Sequence, residues 1–339
     1  MLKKLILATA GIAALAMAAS AAQAETVTIR YSSWLPVNHW YVGGSIVPYL
    51  EEIEEVTEGR VKVEILPKIV GTPQSQFDVV RDGLADMSWI VTGYTPGRFK
   101  LSEMGELAFG GDSTATGPAF HRTYMEHFAK FNEFEGVEVV AIYTGSPGHV
   151  ATKDRIVETI DDFKGLKLRS AAAGATEALN LLGAVPILKS AAEAFEMLST
   201  GAIDGSLMIP ETVVSANSLD LLNTFTVVPG GFFNTVHAII INPEKWNAIS
   251  EDDQEAILAI SGEKLAATVG KAYAKQNAEA FDAMEEAGYT IGELDAEQTA
   301  KLQEALAPIE EKWIEEAIAI GVENPAEILA EFRESSPTN

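Results

Sequence analysis

Cysteine is absent from all 339 residues, which excludes disulfide staples, thiol catalysis and a lipid anchor built on an N-terminal cysteine. Basic residues are scarce: 24 Lys and Arg stand against 49 Asp and Glu, for a net charge of -25. Nucleic acid and anionic membrane surfaces are therefore poor partners. Beyond the N-terminal region no stretch is long and apolar enough to span a bilayer, so direct membrane insertion is not expected. G-x-S-x-G, HExxH and a closely spaced histidine pair are lacking, and "FGGDS" has neither the spacing nor the lysine of a phosphate loop. No catalytic residue, metal site or cofactor is expected, and an enzyme reading rests on nothing specific.

What is present begins with MLKKLILATAGIAALAMAASAAQAE. Lys3 and Lys4 precede an alanine-rich apolar stretch that ends in Ala22-Gln23-Ala24, the pattern of a secretory signal peptide over residues 1–24. Export to the periplasm follows, and loss of the two lysines takes the net charge to -27. The remaining length, about 315 residues, can bury a large core and usually divides into two domains.

Strands expected at 26–34, 60–66 and 85–91 alternate with helices at 44–57 and 74–82, the order of an α/β unit with a mainly parallel sheet. An echo then appears at a constant offset of 118: "FDVVRDGLADMS" from Phe77 and "FEMLSTGAIDGS" from Phe195 share their Phe, Gly, Asp and Ser. Each reads as a helix closed by a glycine, Gly83 or Gly201, then a turn carrying an aspartate, Asp86 or Asp204, into an apolar strand. The second copy has its own front half, a strand at 166–169, a helix at 174–182 and a strand at 184–188. Two α/β lobes with a cleft between them are expected. Lobe I is assigned 25–146 plus roughly 236–275, and lobe II 147–235 plus roughly 276–339, including the C-terminal helices. Extended segments at 136–155 and 227–246, broken by Ser146-Pro147-Gly148 and Pro229-Gly230-Gly231, cross between them as a hinge. The apolar stripe Ile257, Ile260, Leu265, Val269 and Tyr273 reads as packing.

Binding chemistry is better supported than catalysis. In "GLKLRSAAAG", Arg169 closes a strand just before a helix, the carboxyl edge where α/β sheets collect ligands. A guanidinium there can grip a carboxylate through paired hydrogen bonds, and the small residues after it leave room. Trp34 and Trp40 lie beyond the first strand, Trp89 and Tyr94 at the end of the third, as candidate apolar walls. Arg98, on the loop "GYTPGRF", is a further candidate for the cleft.

"DDFKGLKLRSAAAGATEALNLLGAVPI", "LSTGAIDGSLMIPETV", "YSSWLPVNHW" and "INPEKWNAISEDDQEAI", in this order, resemble the DctP-type solute-binding proteins of tripartite ATP-independent periplasmic (TRAP) transporters. The resemblance covers essentially the whole mature chain. It implies a two-lobed periplasmic-binding-protein-like fold with long C-terminal helices, closing on an organic acid whose carboxylate meets Arg169. It also implies delivery to TRAP membrane permease subunits, and a monomer is expected. Family members that bind sialic acids or dicarboxylates often carry a second arginine on the first crossing strand, where this chain has His149. Arg169 with Trp34, Trp89, Tyr94 and Phe233 suits a monocarboxylate with an apolar or hydroxylated body, with Asn234 as a second polar contact; a dicarboxylate stays open. A ligand-presenting module for a membrane sensor kinase, or an exported two-lobed enzyme, are the other readings.

Overall fold

The computed structural model describes residues 26–111 and 113–336; the expected signal peptide, 1–24, lies outside them. Among the described residues eleven strands form two sheets. They are β1 (Val27–Ser32), β2 (Val61–Ile65), β3 (Met87–Val91), β4 (Glu138–Thr144), β5 (His149–Thr152), β6 (Lys167–Ser170), β7 (Val185–Leu188), β8 (Gly205–Met208), β9 (Thr224–Val227), β10 (Val236–Ile241) and β11 (Thr290–Glu293). The first sheet runs β2-β1-β3-β10-β4 and the second β7-β6-β8-β5-β9-β11. In each, three parallel strands are followed by one antiparallel to both its neighbours, β10 in the first sheet and β5 in the second. Both of those strands arrive from the other lobe. The alternation in the sequence thus becomes two lobes of the same design, laced together by the two crossings.

The echo at offset 118 has a structural basis. Helices α2 (Gln76–Arg81) and α5 (Ala194–Ser199) both end in a positive-φ glycine, Gly83 at +70° and Gly201 at +73°, a backbone that only glycine adopts without strain. The aspartate that follows then accepts a backbone N–H from the neighbouring strand: Asp86 Oδ2 from Arg30 at 2.8 Å, and Asp204 Oδ2 from Lys167 at 2.8 Å. Both acceptors sit one residue before the first pair of the ladder, Tyr31 with Met87 and Leu168 with Gly205. The carboxylate fixes where the two parallel strands begin to pair, and so fixes register.

Helices α1 (Val47–Val56), α3 (Ser113–Thr123), α7 (Pro243–Asn247), α8 (Glu251–Ile260) and α9 (Gly262–Glu286) cover the first sheet. Helices α4 (Ala173–Leu181) and α5 lie on the second, while α6 (Pro210–Ser215) leads out of β8 and packs on α9. The expected stripe Ile257 to Tyr273 is buried in the core of the first lobe, divided between α8 and α9 by a break at Ser261. The long α10 (Ala296–Ile320) is capped by Asp295, whose side chain accepts from Gln298 N at 2.8 Å, and closes at Gly321 with φ 110°. Its Leu302 and Leu306 enter the second core and its Trp313 and Ala317 the first. These four share one face of the helix, and Trp313 Nε1 also donates to Lys100 O at 3.1 Å. Helix α11 (Pro325–Glu334) continues into the first core through Leu329 and Phe332. Of the stretch 276–339, assigned to the second lobe on its position after the crossings, the described residues therefore reach both cores. No helix among the described residues is long and apolar enough to cross a membrane.

Candidate functional site

A cavity of about 390 Å³ opens between the lobes at the carboxyl ends of their parallel strands, the edge where strand order reverses in such sheets. Trp34 follows β1, Trp89 ends on β3 with Tyr94 in the next turn, Arg169 stands on β6, and Met208 and Ile209 close β8. Both halves of the repeated unit contribute the same edge.

Arg169 is 2% exposed. Its Nε donates to Lys189 O at 2.8 Å and its Nη1 to Leu207 O at 3.1 Å. Burial lowers its pKa, opposed by the adjacent Tyr94 hydroxyl and, more weakly, by Glu193. A guanidinium remains charged under such a shift because its ordinary value is so high. Held by main-chain carbonyls rather than by a carboxylate, the fork keeps donors for an anion in the cleft. Among the described residues no carboxylate forms a salt bridge with Arg169.

The remaining wall is aromatic. Trp34 stacks on Trp89 with ring centroids 4.5 Å apart and meets Tyr94 edge-on at 5.9 Å. Trp89 in turn contacts Tyr41 at 4.4 Å and His237 at 5.1 Å. Phe233 and Tyr273 also line the cavity. His237 is pushed down to about 3 by burial and is neutral, with Nε2 bonded to Thr235 Oγ1 at 2.9 Å.

Besides the Arg169–Tyr94 contact, further hydrogen bonds join the lobes in and near this cavity. Trp40 Nε1 donates to Glu211 Oε2 at 2.7 Å, Ala191 N to the Tyr94 hydroxyl at 3.1 Å, and Gln74 Nε2 to Glu193 Oε2 at 3.3 Å. Next to Tyr94, Gly93 packs closely against the second lobe: a Cβ there would lie 2.8 Å from Ala172 Cβ, and 2.7 Å from Glu106 Oε1 of its own lobe.

Glu106 is buried and accepts from Thr92 Oγ1 at 3.0 Å; burial and then the nearby Glu103 push it up to about 8. Glu103 is itself pushed up to about 7, chiefly by burial. The sign follows from proton uptake. The folded state keeps the Glu106 proton where the unfolded chain, at its ordinary 4.5, has lost it. This stability is fully present below pH 4.5 and is lost as pH rises through about 8. Between pH 7 and 8 Glu106 holds the larger share of the retained proton, which corresponds to at most about 1.4 kcal/mol per pH unit. The thermal midpoint of the wild type is expected to fall by about 2–3 °C across that interval, and Glu106→Gln to flatten the fall. Parallel profiles for the two proteins would rule Glu106 out as the titrating group.

Of the residues expected at the site, Arg169, Trp34, Trp89, Tyr94 and Phe233 line one cavity. Three others stand elsewhere. Arg98 turns onto the outside of the first lobe, where it pairs with Asp78 at 3.0 Å and lies 4.7 Å over the Phe77 ring. His149 is a core histidine whose Nδ1 accepts from Val228 N at 3.1 Å, packed edge-on to Phe225. Asn234 turns its Oδ1 back to Thr235 N at 2.8 Å. In their place the structure brings Tyr41, Glu211, His237 and Tyr273, with Trp40, to the cleft. Tyr273 was read as packing because the last residue of a buried stripe looks like the rest of it.

A larger cavity, about 870 Å³, lies beside α10. Its cations are neutralised: Lys100 by Glu316, Lys312 by Glu177 and Arg333 by Glu310. It offers an anion nothing comparable to Arg169.

Comparison with known proteins agrees with this architecture. Residues 33–316 match the family described as bacterial extracellular solute-binding protein, family 7. A TRAP periplasmic solute-binding protein from Bordetella bronchiseptica, solved with bound (R)- and (S)-mandelate, is 36% identical, with a TM-score of 0.87 over 91% of this chain and 98% of that one. A marine-metagenome TRAP solute-binding protein specific for aromatic acids, in complex with 3-hydroxybenzoate, is 28% identical, with a TM-score of 0.84 over 92% and 98%. The outer membrane transporter protein TsaT of Comamonas testosteroni is 28% identical over 322 residues, 94% of each chain. A strand-edge arginine facing an interlobe cleft, on two lobes of this topology, belongs with that family match: the chain is a member of the DctP family, the organic-acid receptors of TRAP transporters.

Proposed function

We propose that this receptor captures an aromatic monocarboxylate, with the carboxylate on Arg169 and the ring against the Trp34–Trp89 stack. The observation that carries this reading is a buried guanidinium held by two main-chain carbonyls and the Tyr94 hydroxyl rather than by a carboxylate, at one end of a cavity lined in large part by aromatic rings. The aromatic acids bound by the Bordetella and metagenome relatives support it. A dicarboxylate would place a second negative charge in a cleft lined by Glu211, where among the described residues no second arginine lines the wall. The protein is exported through residues 1–24, works in the periplasm as a monomer, and hands its ligand to its permease by binding alone, without covalent chemistry. Pro147-Gly148 and Pro229 to Gly231 serve as pivots for lobe movement.

The test is a thermal-shift and calorimetric panel on protein refolded free of carried-over ligand: benzoate, mandelate, succinate, glucuronate and glucose. At 100 times its dissociation constant a ligand adds about 2.7 kcal/mol, so an aromatic acid should raise the midpoint by several degrees. A response to succinate alone would replace the aromatic reading with a dicarboxylate one, and a response to glucose alone would return Arg169 to a structural role.

A further inference from the structure

We infer that the cavity is built for a zwitterion, an aromatic acid that also carries an ammonium group, with its carboxylate on Arg169 and its ammonium on Glu211. This rests on the cleft being an aromatic-acid site and names the subclass of acid it takes. Among the described residues that line the cavity, only Arg169 and Glu211 carry a charge, since burial pushes the two lining histidines, His39 and His237, down to about 4 and about 3. Arg169 is 2% and Glu211 6% exposed. Neither forms a salt bridge with the other or with another described residue. A buried charge without a counter-ion is unfavourable. One of each sign on a single cavity gives a zwitterion two pairings and a simple anion one.

Glu211 is the second residue of α6, and its backbone N–H donates to Asn277 Oδ1 of α9 at 3.2 Å. Its Oε2 accepts from Trp40 Nε1 across the lobes, and its Oε1 from the Thr212 hydroxyl, both at 2.7 Å. Trp40 and Glu211 border both the ligand cavity and a neighbouring one of about 420 Å³, so their bond stands in the gap between the lobes. Burial raises the Glu211 pKa, and hydrogen bonds from Thr212, Ser215 and Trp40 lower it. All three donors are neutral: they hold the carboxylate in place without cancelling its charge, which a cation would do. The surrounding rings favour that cation. Trp40 meets Tyr273 edge-on at 4.8 Å and Tyr41 edge-on at 5.6 Å, and Glu211 is near enough to Tyr273 to raise the phenol's pKa, second only to burial. Aromatic faces attract an ammonium. From Tyr94, which touches Arg169, ring contacts run through Trp34, Trp89 and Tyr41 to Trp40, which touches Glu211, in steps of 5.9, 4.5, 4.4 and 5.6 Å. An apolar wall thus links the two charged groups.

The experiment is titration calorimetry of the full-length mature protein with three matched pairs of acids: phenylglycine and phenylacetate, 3-(aminomethyl)benzoate and 3-methylbenzoate, 4-(aminomethyl)benzoate and 4-methylbenzoate. The members of each pair differ by one ammonium group. At least one ammonium acid is expected to bind about tenfold or more tightly than its counterpart. In Glu211→Gln, which keeps the size and an acceptor for Trp40 but loses the charge, that ratio should fall to about twofold or less. Should this variant fail to fold, Glu211→Asp is read in its place; it draws the charge back by one methylene and should lower the ratio about threefold or more. If no ammonium acid reaches the tenfold ratio while any counterpart binds, this inference is overturned and the aromatic-acid reading stands. Failure of all six to bind overturns both. A preference that survives the substitution overturns the assignment to Glu211.

Discussion

Replacing Arg169 with methionine is expected to weaken binding of the cognate acid by about 100-fold or more while changing the ligand-free thermal midpoint little. The two halves of this expectation have separate causes. On the proposed reading the guanidinium meets the ligand carboxylate in the cleft, and truncating one member of a buried charge pair costs about 2–5 kcal/mol because the other is left unpaired. That range corresponds to about 30-fold to several thousandfold in affinity. Without ligand, the substitution removes a cation whose burial is unfavourable, as its lowered pKa shows, but it also deprives Lys189 O and Leu207 O of a donor. These effects oppose each other. Arg169→Lys keeps the charge and loses the fork, so it should fall between wild type and methionine. Calorimetric titration checks the first half and scanning calorimetry of the ligand-free protein the second. Unchanged affinity would show that the anion sits elsewhere, and a collapse of ligand-free stability would make Arg169 a structural residue.

Gly148→Ala should be the most damaging single methyl group at the hinge. A Cβ there would stand 1.9 Å from Phe233 Cε1 and 2.2 Å from Cζ. The backbones cannot separate easily, because Gly148 N donates to Phe233 O and Phe232 N to Gly148 O, both at 2.8 Å. The ring must therefore swing, and Phe233 borders the ligand cavity. Overpacking of this kind costs about 1–3 kcal/mol, and a ring displaced into the cleft should weaken acid binding by at least about tenfold. Adding Phe233→Ala should recover much of the stability lost to Gly148→Ala, a coupling that a double-mutant cycle measures directly. Gly174→Ala is the control: the nearest atom to its added methyl is 4.0 Å away on Ile309, and a helical alanine is favoured over glycine. Additive losses at 148 and 233 would mean the two do not meet.

The repeated unit was legible because its function is local. A glycine that must take positive φ and an aspartate that must cap a neighbouring strand leave their identities in the sequence wherever the step recurs, at Gly83 and Asp86 and again at Gly201 and Asp204. Arg169 was legible for a related reason, since an arginine ending an apolar strand before small residues has few structural uses. Orientation across the pleat was harder. Phe233, Thr235 and His237 border the cavity while Asn234 does not, the alternation expected of extended backbone. Carried two residues onward from Phe233, that rule points to His237 and excludes Asn234. His149 and Arg98 failed differently: strand and loop positions say nothing of which neighbour a side chain will choose, and Val228 N and Asp78 lie far from them in sequence. Tyr273 carried no signal at all, because its helix approaches the cleft only through packing against elements from both lobes.

The place of β10 in the first sheet bears on how the molecule is made. Strand β10 lies between β3 and β4 and hydrogen-bonds to both, yet it is synthesised after almost the whole of the second sheet. A chain still growing toward residue 236 presents the facing edges of "MSWIV" and "EVVAIYT" with nothing between them, two apolar strands in want of a third. Such edges are templates for pairing with other chains. The second sheet waits too, for its edge strand β11 and for the α10 residues that fill its core. Neither sheet has all its strands until most of the chain has been made, so the two halves are expected to mature together and late rather than in turn from the N-terminus.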